Sequence, residues 1–134
     1  MNIKKICLII IIICSNIAFS GCSDVIDQLA NYADKDNKYV VRIKNMVPSG
    51  ESKSFGKAFD NFFAFPTWKY FDADTGESVV EFTGYCTYMD NKVKAKIQFI
   101  LYNDGNKYKI HTLSFNNVPQ NQLMLQTLLV KIFE

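Results

Sequence analysis

Residues 79–102 read VVEFTGYCTYMDNKVKAKIQFILY, and this stretch decides the fold. On either side of a short polar break at Asp90 and Asn91, β-branched and aromatic residues recur at every second position. Such alternation is typical of strands that bury one face. The stretch therefore predicts an antiparallel hairpin whose strands cover residues 79–88 and 92–102.

A two-residue turn at Asp90 and Asn91 fixes which residues face each other across this hairpin. Every pair on one face is then apolar or small, and a slip of one residue would swap the two faces. The predicted pairs are Tyr88 with Val93, Cys86 with Ala95, Gly84 with Ile97, Phe82 with Phe99 and Val80 with Leu101.

The neighbouring segments extend the sheet. Residues 103–106, Asn-Asp-Gly-Asn, predict a second hairpin because Asp-Gly accepts the positive φ angles of a tight turn. Upstream, the β-branched residues 39–47 predict a first strand, and residues 68–71 predict a short one. The second hairpin pairs Leu101 with Tyr108, Phe99 with Ile110 and Ile97 with Thr112.

Two helices complete the predicted fold. Ser54 is a suitable N-cap for a short helix that Pro66 stops, and Pro119 is placed to open a C-terminal helix. The predicted class is α+β, an antiparallel four- to five-stranded sheet with one short aromatic helix and a C-terminal helix, in the order β-α-β-β-β-β-α. The helical faces comprise Phe55, Ala58, Phe59, Phe62 and Phe63, and Leu125, Leu128, Leu129 and Ile132.

The sheet face opposite this core is not plainly polar in the predicted register. Aromatic and aliphatic residues framed by lysines are typical of a protein-binding surface. Two other interpretations stay open: the C-terminal helix covers part of this face, or lysine stems shield stray apolar residues. The predicted partner-binding residues are Tyr85, Lys94, Lys96, Ile100, Tyr102, Lys109, Leu113 and Phe115, with Val79, Lys107 and His111 beside them.

Residues for catalysis or metal binding are few. His111 is the only histidine, and Cys86 is expected to face the core as a small apolar residue. Asp72, Asp74 and Glu77 surround a turn, but the stretch lacks the twelve-residue calcium-loop pattern. We expect no enzymatic activity, no metal and no cofactor.

A pocket for a small apolar or peptidic ligand is the alternative function. The aromatic helix and the strand that follows it supply the rings for such a pocket, although a small domain needs the same rings to fill its core. The rings are those of Phe55, Phe59, Phe62, Phe63, Trp68 and Tyr70.

The first 22 residues have the features of an export signal. Lys4 and Lys5 precede the apolar residues 6–13, a run too short for a membrane span of about 20 residues. The following Phe19-Ser20-Gly21-Cys22 resembles the lipobox of bacterial lipoproteins. The resemblance implies cleavage before Cys22 and acylation of its thiol. An ordinary secretory signal or an uncleaved anchor is the alternative.

The resemblance also implies a location. Acyl chains on Cys22 hold such proteins to the membrane, and Ser23 in the family favours the outer membrane, facing the periplasm; in a one-membrane source the cell membrane is expected. The predicted organisation is a signal peptide at 1–21, a lipidated cysteine and flexible tether at 22–38, and one α+β domain at 39–134. Loss of Cys7 and Cys14 with the signal leaves Cys86 without an intramolecular partner.

Charge restricts the partner. The chain has 15 Lys plus Arg and 13 Asp plus Glu, and removal of Lys4 and Lys5 makes the mature chain formally neutral. Neutrality argues against a general nucleic-acid binder. The run from Lys53 to Phe63, with Trp68 and residues 80–84, resembles small domains of unknown function in exported bacterial proteins. That resemblance implies a fold but no activity, so we expect an envelope accessory protein that contacts another envelope protein.

Overall fold

A computed structural model describes Asp34 and residues 37–134 of the chain. The predicted signal peptide, Cys22 and most of the predicted tether lie outside the described residues. Within the described part, two helices precede a five-stranded antiparallel sheet and a third helix follows, which confirms the predicted α+β class. The elements are α1 (Lys38–Asn45), α2 (Phe55–Phe62), β1 (Ala64–Asp72), β2 (Ser78–Tyr88), β3 (Asn91–Tyr102), β4 (Lys107–Phe115), β5 (Val118–Pro119) and α3 (Gln122–Phe133).

The predicted first strand is instead a helix, α1. The Asn37 side chain caps it by accepting hydrogen bonds from the N–H groups of Tyr39 and Val40, at 2.9 and 3.3 Å. Val40 and Ile43, three residues apart, are completely buried. The preference of β-branched residues for strands is weak, and the N-cap and this buried helical face override it.

The turn between β3 and β4 holds α1 in place. Tyr39 donates its hydroxyl hydrogen to Asp104 Oδ1 at 2.9 Å, and Arg42 Nη1 donates to the Asp104 carbonyl oxygen at the same distance. A Cβ on Gly105 would lie 2.8 Å from the Tyr39 ring, so this close approach requires glycine. The helix that replaces the predicted strand is thus fixed by residues far along the chain.

The aromatic helix α2 begins where the sequence predicts. Ser54 Oγ accepts the N–H of Lys57 at 3.2 Å, and Phe59 on the inner face is completely buried. The helix ends at Phe62, which is 38% exposed rather than on the buried face, while Phe63 is buried in extended backbone. The predicted aromatic face is therefore correct at its start and wrong at Phe62.

The hairpin of β2 and β3 is present, but its register differs from the predicted one by two residues. Met89 and Asp90, both with positive φ, form the turn in place of Asp90 and Asn91. A shift of two residues leaves every side chain on its predicted face. Cys86 therefore faces the core as predicted and is half-buried. The observed pairs are Tyr88 with Asn91, Cys86 with Val93, Gly84 with Ala95, Phe82 with Ile97 and Val80 with Phe99.

A β-bulge interrupts the pairing of β3 with β4. Phe99 pairs with Ile110 as predicted, but the next pair is Gln98 with Thr112. His111 is therefore an extra residue in β4, and every β4 side chain beyond it changes face relative to a regular ladder.

The bulge corrects two predicted outer-face residues. Ile97 pairs with Leu113 rather than with Thr112. Leu113 and Phe115 consequently point into the core, where they are 2% and 6% exposed. Neither belongs to a partner-binding surface on the opposite face.

The edge strand β1 has nine residues, whereas a short strand at 68–71 is predicted. Its pairing with β2 is irregular between Ala64 and Thr67, and Phe65 there has a φ of 50°. Pro66, which has no N–H to donate, lies in this irregular part. The helix-stopping role predicted for Pro66 is thus replaced by a place in the strand.

Asn121, rather than Pro119, starts the C-terminal helix. Pro119 lies in β5 and pairs with Ser114 of β4. The Asn121 side chain accepts the N–H of Met124 at 2.8 Å, as an N-cap does. On α3 the predicted core residues Leu125, Leu128 and Ile132 are buried, and Leu129 is partly buried.

All three described helices pack on one face of the sheet. Their buried residues form one cluster with the core-facing residues of β1 to β4, so α3 does not cover the opposite face. None of the helices in the described part is long and apolar enough to span a membrane. The ring of Phe59 lies at the centre of this core and contacts the rings of Phe55, Phe63, Trp68, Phe82, Phe99 and Phe133.

Candidate functional site

The side chains that alternate with the core residues of β1 to β4 form the second face of the sheet, which we call the outer face. Pairing across the four strands arranges them in rows. One row is mainly apolar, the next is a hydrogen-bonded polar row, and the third carries hydroxyl groups and a lysine. The rows are Phe71, Val79, Ile100 and Lys109; Lys69, Glu81, Gln98 and Thr112; and Thr67, Thr83, Lys96 and Ser114.

Positive charge is concentrated on the outer face. The outward positions of β1 to β4 hold six lysines but one acidic residue, Glu81. The face therefore carries a formal charge of +5, whereas the whole chain carries +2. The lysines are Lys69, Lys92, Lys94, Lys96, Lys107 and Lys109.

Glu81 is buried within the polar row, with 4% of its surface exposed. Lys69 Nζ lies 3.1 Å from Glu81 Oε1, and Gln98 Nε2 donates a hydrogen bond to Glu81 Oε2 at 2.7 Å. The Thr112 hydroxyl in turn donates to Gln98 Oε1 at 3.2 Å. The one outward carboxylate is thus already satisfied, since burial of a charge is tolerated only with such partners.

A groove of about 440 Å³ lies beside the polar row. Lys96 lines it, and the Lys96 ammonium has no hydrogen-bond or ion-pair partner among the residues that the structure describes. The groove combines positive charge with hydroxyl and amide groups, which together can hold carboxylates and peptide groups. Its walls are formed by Lys69, Glu81, Thr83, Tyr85, Lys94, Lys96, Asn116 and Asn117.

The turn after β4 positions one wall of the groove. Asn116 and Asn117 both have positive φ, 49° and 66°, which asparagine tolerates better than most residues. The Asn116 side chain accepts the Lys94 N–H at 2.9 Å, and its own N–H donates to the Lys94 carbonyl at 2.9 Å. This pair of bonds fixes the backbone from which the Lys94 side chain projects.

One end of the outer face is aromatic. The Lys92 ammonium lies 4.6 Å from the centre of the Tyr85 ring, and the Phe65 ring meets that ring edge-on at 6.3 Å. Phe65 is 62% exposed although it is large and apolar. Its positive φ costs on the order of 1–3 kcal/mol for a residue of this size.

Six of the eight predicted partner-binding residues share the outer face. Tyr85, Lys94 and Lys96 line the groove. Tyr102 is 46% exposed at the far end of β3, and Ile100, with 4% exposure, offers little surface. Lys109 pairs with Ile100 at the edge of the face, and Leu113 and Phe115 belong to the core.

Five of the eight residues in the groove wall are not among the partner-binding residues predicted from the sequence. Lys69 and Glu81 come together only because β1 pairs with β2, a long-range contact that the alternation within each strand does not reveal. Asn116 and Asn117 form an Asn-Asn turn signal that could have identified this wall. Thr83 is visible in the β2 alternation but does not stand out there.

The predicted apolar ligand pocket is occupied by the protein itself. Phe55, Phe59 and Trp68 are buried against one another, so their rings fill the core. The Trp68 indole nitrogen donates to Asp60 Oδ1 at 3.2 Å. A separate hollow of about 210 Å³ lies between Phe55 and the end of α3, smaller than the roughly 300–1,000 Å³ of typical ligand pockets.

The other potentially reactive side chains that the sequence singles out are Cys86, Asp72 and His111. Burial raises the pKa of the Cys86 thiol, which favours the unreactive neutral form. Asp72 accepts the hydroxyl hydrogen of Tyr70 at 2.7 Å, and His111 is the exposed bulge residue. Among the described residues, no group of three or more His, Cys, Asp or Glu is placed to hold a metal ion.

Comparisons with protein-family models, with curated proteins and with solved structures find no match to this chain. The groove and the charge of the outer face are therefore the observations from which a function is inferred.

Proposed function

We propose that the chain is an exported, lipid-anchored accessory protein of the bacterial envelope that has no catalytic activity and contacts another envelope protein. The outer face of the sheet is the contact surface. The observation that carries this proposal is the groove of about 440 Å³, lined by three lysines, on the sheet face opposite the three described helices. Its volume lies within the range of typical binding pockets.

The anchor part of the proposal rests on residues 1–22. Two or three acyl chains on Cys22 would hold the chain durably, whereas one gives only marginal binding. Ser23 favours the outer membrane with the domain in the periplasm, or the cell membrane in a one-membrane source. Asp34 Oδ2 accepts the Tyr70 N–H at 2.8 Å, so the chain reaches the folded part at the β1 edge.

The distance between the anchor and the fold is limited by the chain. The twelve residue steps from Cys22 to Asp34 extend at most about 40 Å. The β1 edge, where Asp34 is bound, would then lie within about 40 Å of the membrane. The outer face would therefore be near other membrane-bound proteins. Tethering also raises the effective concentration of a partner in the same membrane.

The small apolar or peptidic ligand of the alternative function has less support. Four of the six rings expected to line its pocket are buried core residues, and the 210 Å³ hollow beside Phe55 is below the usual size. Native mass spectrometry of the full chain would detect a retained ligand of this kind.

Site-specific photo-crosslinking in living cells tests the proposed contact. A photoreactive amino acid placed at Tyr102 or Lys109 on the outer face should form one discrete adduct with another envelope protein. The matched control position is Leu123, which is 75% exposed on α3, on the helical side. Adducts from Leu123 but not from the two outer-face positions would contradict the proposal.

A further inference from the structure

The lysines of β3 have a spacing that indicates what kind of partner fits the outer face. We infer that the partner presents an extended acidic protein segment, an inference that rests on the proposed function. In this segment, carboxylates at every second position meet the three outward lysines of β3, Lys92, Lys94 and Lys96. The groove beside Lys94 and Lys96 holds the centre of the segment.

The strand and an extended partner segment share a period of two. Lys92, Lys94 and Lys96 project from the same face of one strand, so successive ammonium groups start about 6.8 Å apart. An extended peptide repeats its own side chains on one face at the same interval. Acidic residues at alternate positions therefore meet successive lysines, while a block of consecutive acids places half of its carboxylates on the wrong side.

Negative charge is scarce on the outer face. Glu81, the one outward carboxylate of β1 to β4, is already held by Lys69 and Gln98. Lys96 has Thr83 and Ser114 as its row neighbours, and neither carries charge. A carboxylate of a partner protein would supply the negative charge that is missing beside Lys96.

The shape of the site favours a protein segment over a membrane surface. The groove is concave, and its walls add the amides of Asn116 and Asn117 to the lysines. Such groups can donate to and accept from a peptide backbone. A flat layer of lipid headgroups would reach the lysine tips but not the groove walls.

The test uses a fluorescent probe peptide in which glutamate alternates with threonine, and the full chain held in nanodiscs of zwitterionic lipid. Fluorescence anisotropy should show binding that weakens as salt is raised, because exposed charge pairs are screened. Two control peptides have glutamine in place of glutamate, or the same glutamates in one consecutive block. Both should bind at least about tenfold more weakly, which corresponds to about 1.4 kcal/mol.

Removal of the charge at two lysines tests whether these residues bind the probe. The double variant Lys94→Gln and Lys96→Gln should weaken probe binding by about tenfold or more. The matched control is Lys57→Gln with Lys131→Gln, two exposed lysines on α2 and α3, which should leave binding within about twofold. Circular dichroism establishes that both variants are folded, and Lys92→Gln provides a second, independent outer-face variant.

Several outcomes overturn the inference. Absence of probe binding, equal binding of the three peptides, or equal loss in the two double variants each contradicts it. Unchanged probe binding by the Lys94→Gln and Lys96→Gln variant, together with weaker binding of that variant to vesicles of anionic lipid, would assign the lysines to the membrane surface instead. If the inference fails while outer-face crosslinking still gives an envelope protein, the proposed function stands and only the acidic partner is wrong.

Discussion

Glu81 is the residue around which the outer face is organised. It is buried on the sheet face opposite the three described helices, and its two carboxylate oxygens are held by Lys69 and Gln98. Because this carboxylate is satisfied within its own row, it neither needs a partner nor neutralises the lysines of the next rows. The structural role of one buried acid thus leaves the positive charge of the outer face in excess.

Replacement of Glu81 tests this role. Glu81→Gln should lower the free energy of unfolding by about 1–3 kcal/mol, because charge-assisted bonds to Lys69 and Gln98 are lost in a buried position. Glu77→Gln, at an exposed turn residue, is the matched control and should change stability by less than about 0.5 kcal/mol. Urea denaturation measures both, and equal effects would show that Glu81 is not a structural centre.

Cys22 is the residue on which the proposed location depends. Cys22→Ala should abolish incorporation of labelled palmitate and leave an uncleaved precursor, since no thiol remains at the proposed cleavage point. Cys14→Ala, within the same signal segment, should still be labelled and processed. Labelling that persists in Cys22→Ala would reject the lipobox assignment.

At the scale of secondary-structure elements, the bulge at His111 determines the composition of the outer face. One additional residue in β4 places Leu113 and Phe115 in the core and leaves Thr112 and Ser114 facing outward. The apolar part of the predicted partner surface is therefore smaller than the sequence indicates, and the charged part dominates.

Two substitutions distinguish the observed faces from the predicted ones. Phe115→Ala should destabilise the fold by about 3–5 kcal/mol, as expected for a large buried side chain. Tyr102→Ala, at a position 46% exposed, should cost less than about 1 kcal/mol. Chemical denaturation would contradict the bulge if Phe115→Ala proved as mild as Tyr102→Ala.

The bulge itself can be removed. Deletion of His111 should leave a folded protein, because it joins Ile110 directly to Thr112 and so keeps Leu113 and Phe115 on the core face in a regular ladder. His111→Ala keeps the extra backbone residue and should stay within about 0.5 kcal/mol of the parent. Thermal unfolding of both variants measures their stability, and a deletion variant that does not fold would contradict the placement of His111 as the extra residue.

Local signals predict the elements whose shape is determined locally. The alternation of β2 and β3 and the cap at Ser54 involve neighbours in sequence, and these elements are confirmed. The two-residue shift of the hairpin is harmless because the faces repeat every two residues. The turn residues that decide this shift, Met89 and Asp90, carry no strong turn signal compared with Asp90 and Asn91.

Elements that depend on distant contacts are not predicted. The α1 helix is fixed by Asn37 and by the β3–β4 turn, whereas its composition favours a strand. The His111 bulge has no local sequence signal, and it changes the face of all that follows it in β4. The β1–β2 pairing that joins Lys69 to Glu81 is likewise long-range. The meeting of Lys69 and Glu81 in the groove wall therefore depends on information that periodicity does not contain.

At the scale of the whole molecule, the charged side chains are distributed unevenly over the surface. The full chain carries a net charge of +2, yet the outer face carries +5, so positive charge is in excess on this one surface. Net charge alone gives no reason to expect a charged partner, but the arrangement of the charges gives one for this face. A protein with such a face can attract acidic partners to that face although its net charge is small.

Stability of the whole domain should fall in alkaline solution. Burial raises the pKa values of Cys86 and Tyr108 in the folded protein, so the folded state keeps these protons to higher pH than the unfolded state does. The loss should begin as pH rises past the ordinary thiol pKa of about 8.5. Urea denaturation between pH 7 and 10 should show a smaller decline for Cys86→Ala; an identical decline would contradict a contribution from the thiol.

Co-purification from envelope membranes tests the central claim most directly, that the outer face contacts an envelope partner. The full chain with Lys96→Glu and Tyr102→Ser should be folded and membrane-bound but should lose the protein that co-purifies with the parent chain. Leu123→Ser on the helical side should retain it. Retention of the partner by the outer-face variant, with its loss in Leu123→Ser, would place the contact on the helices and contradict the claim.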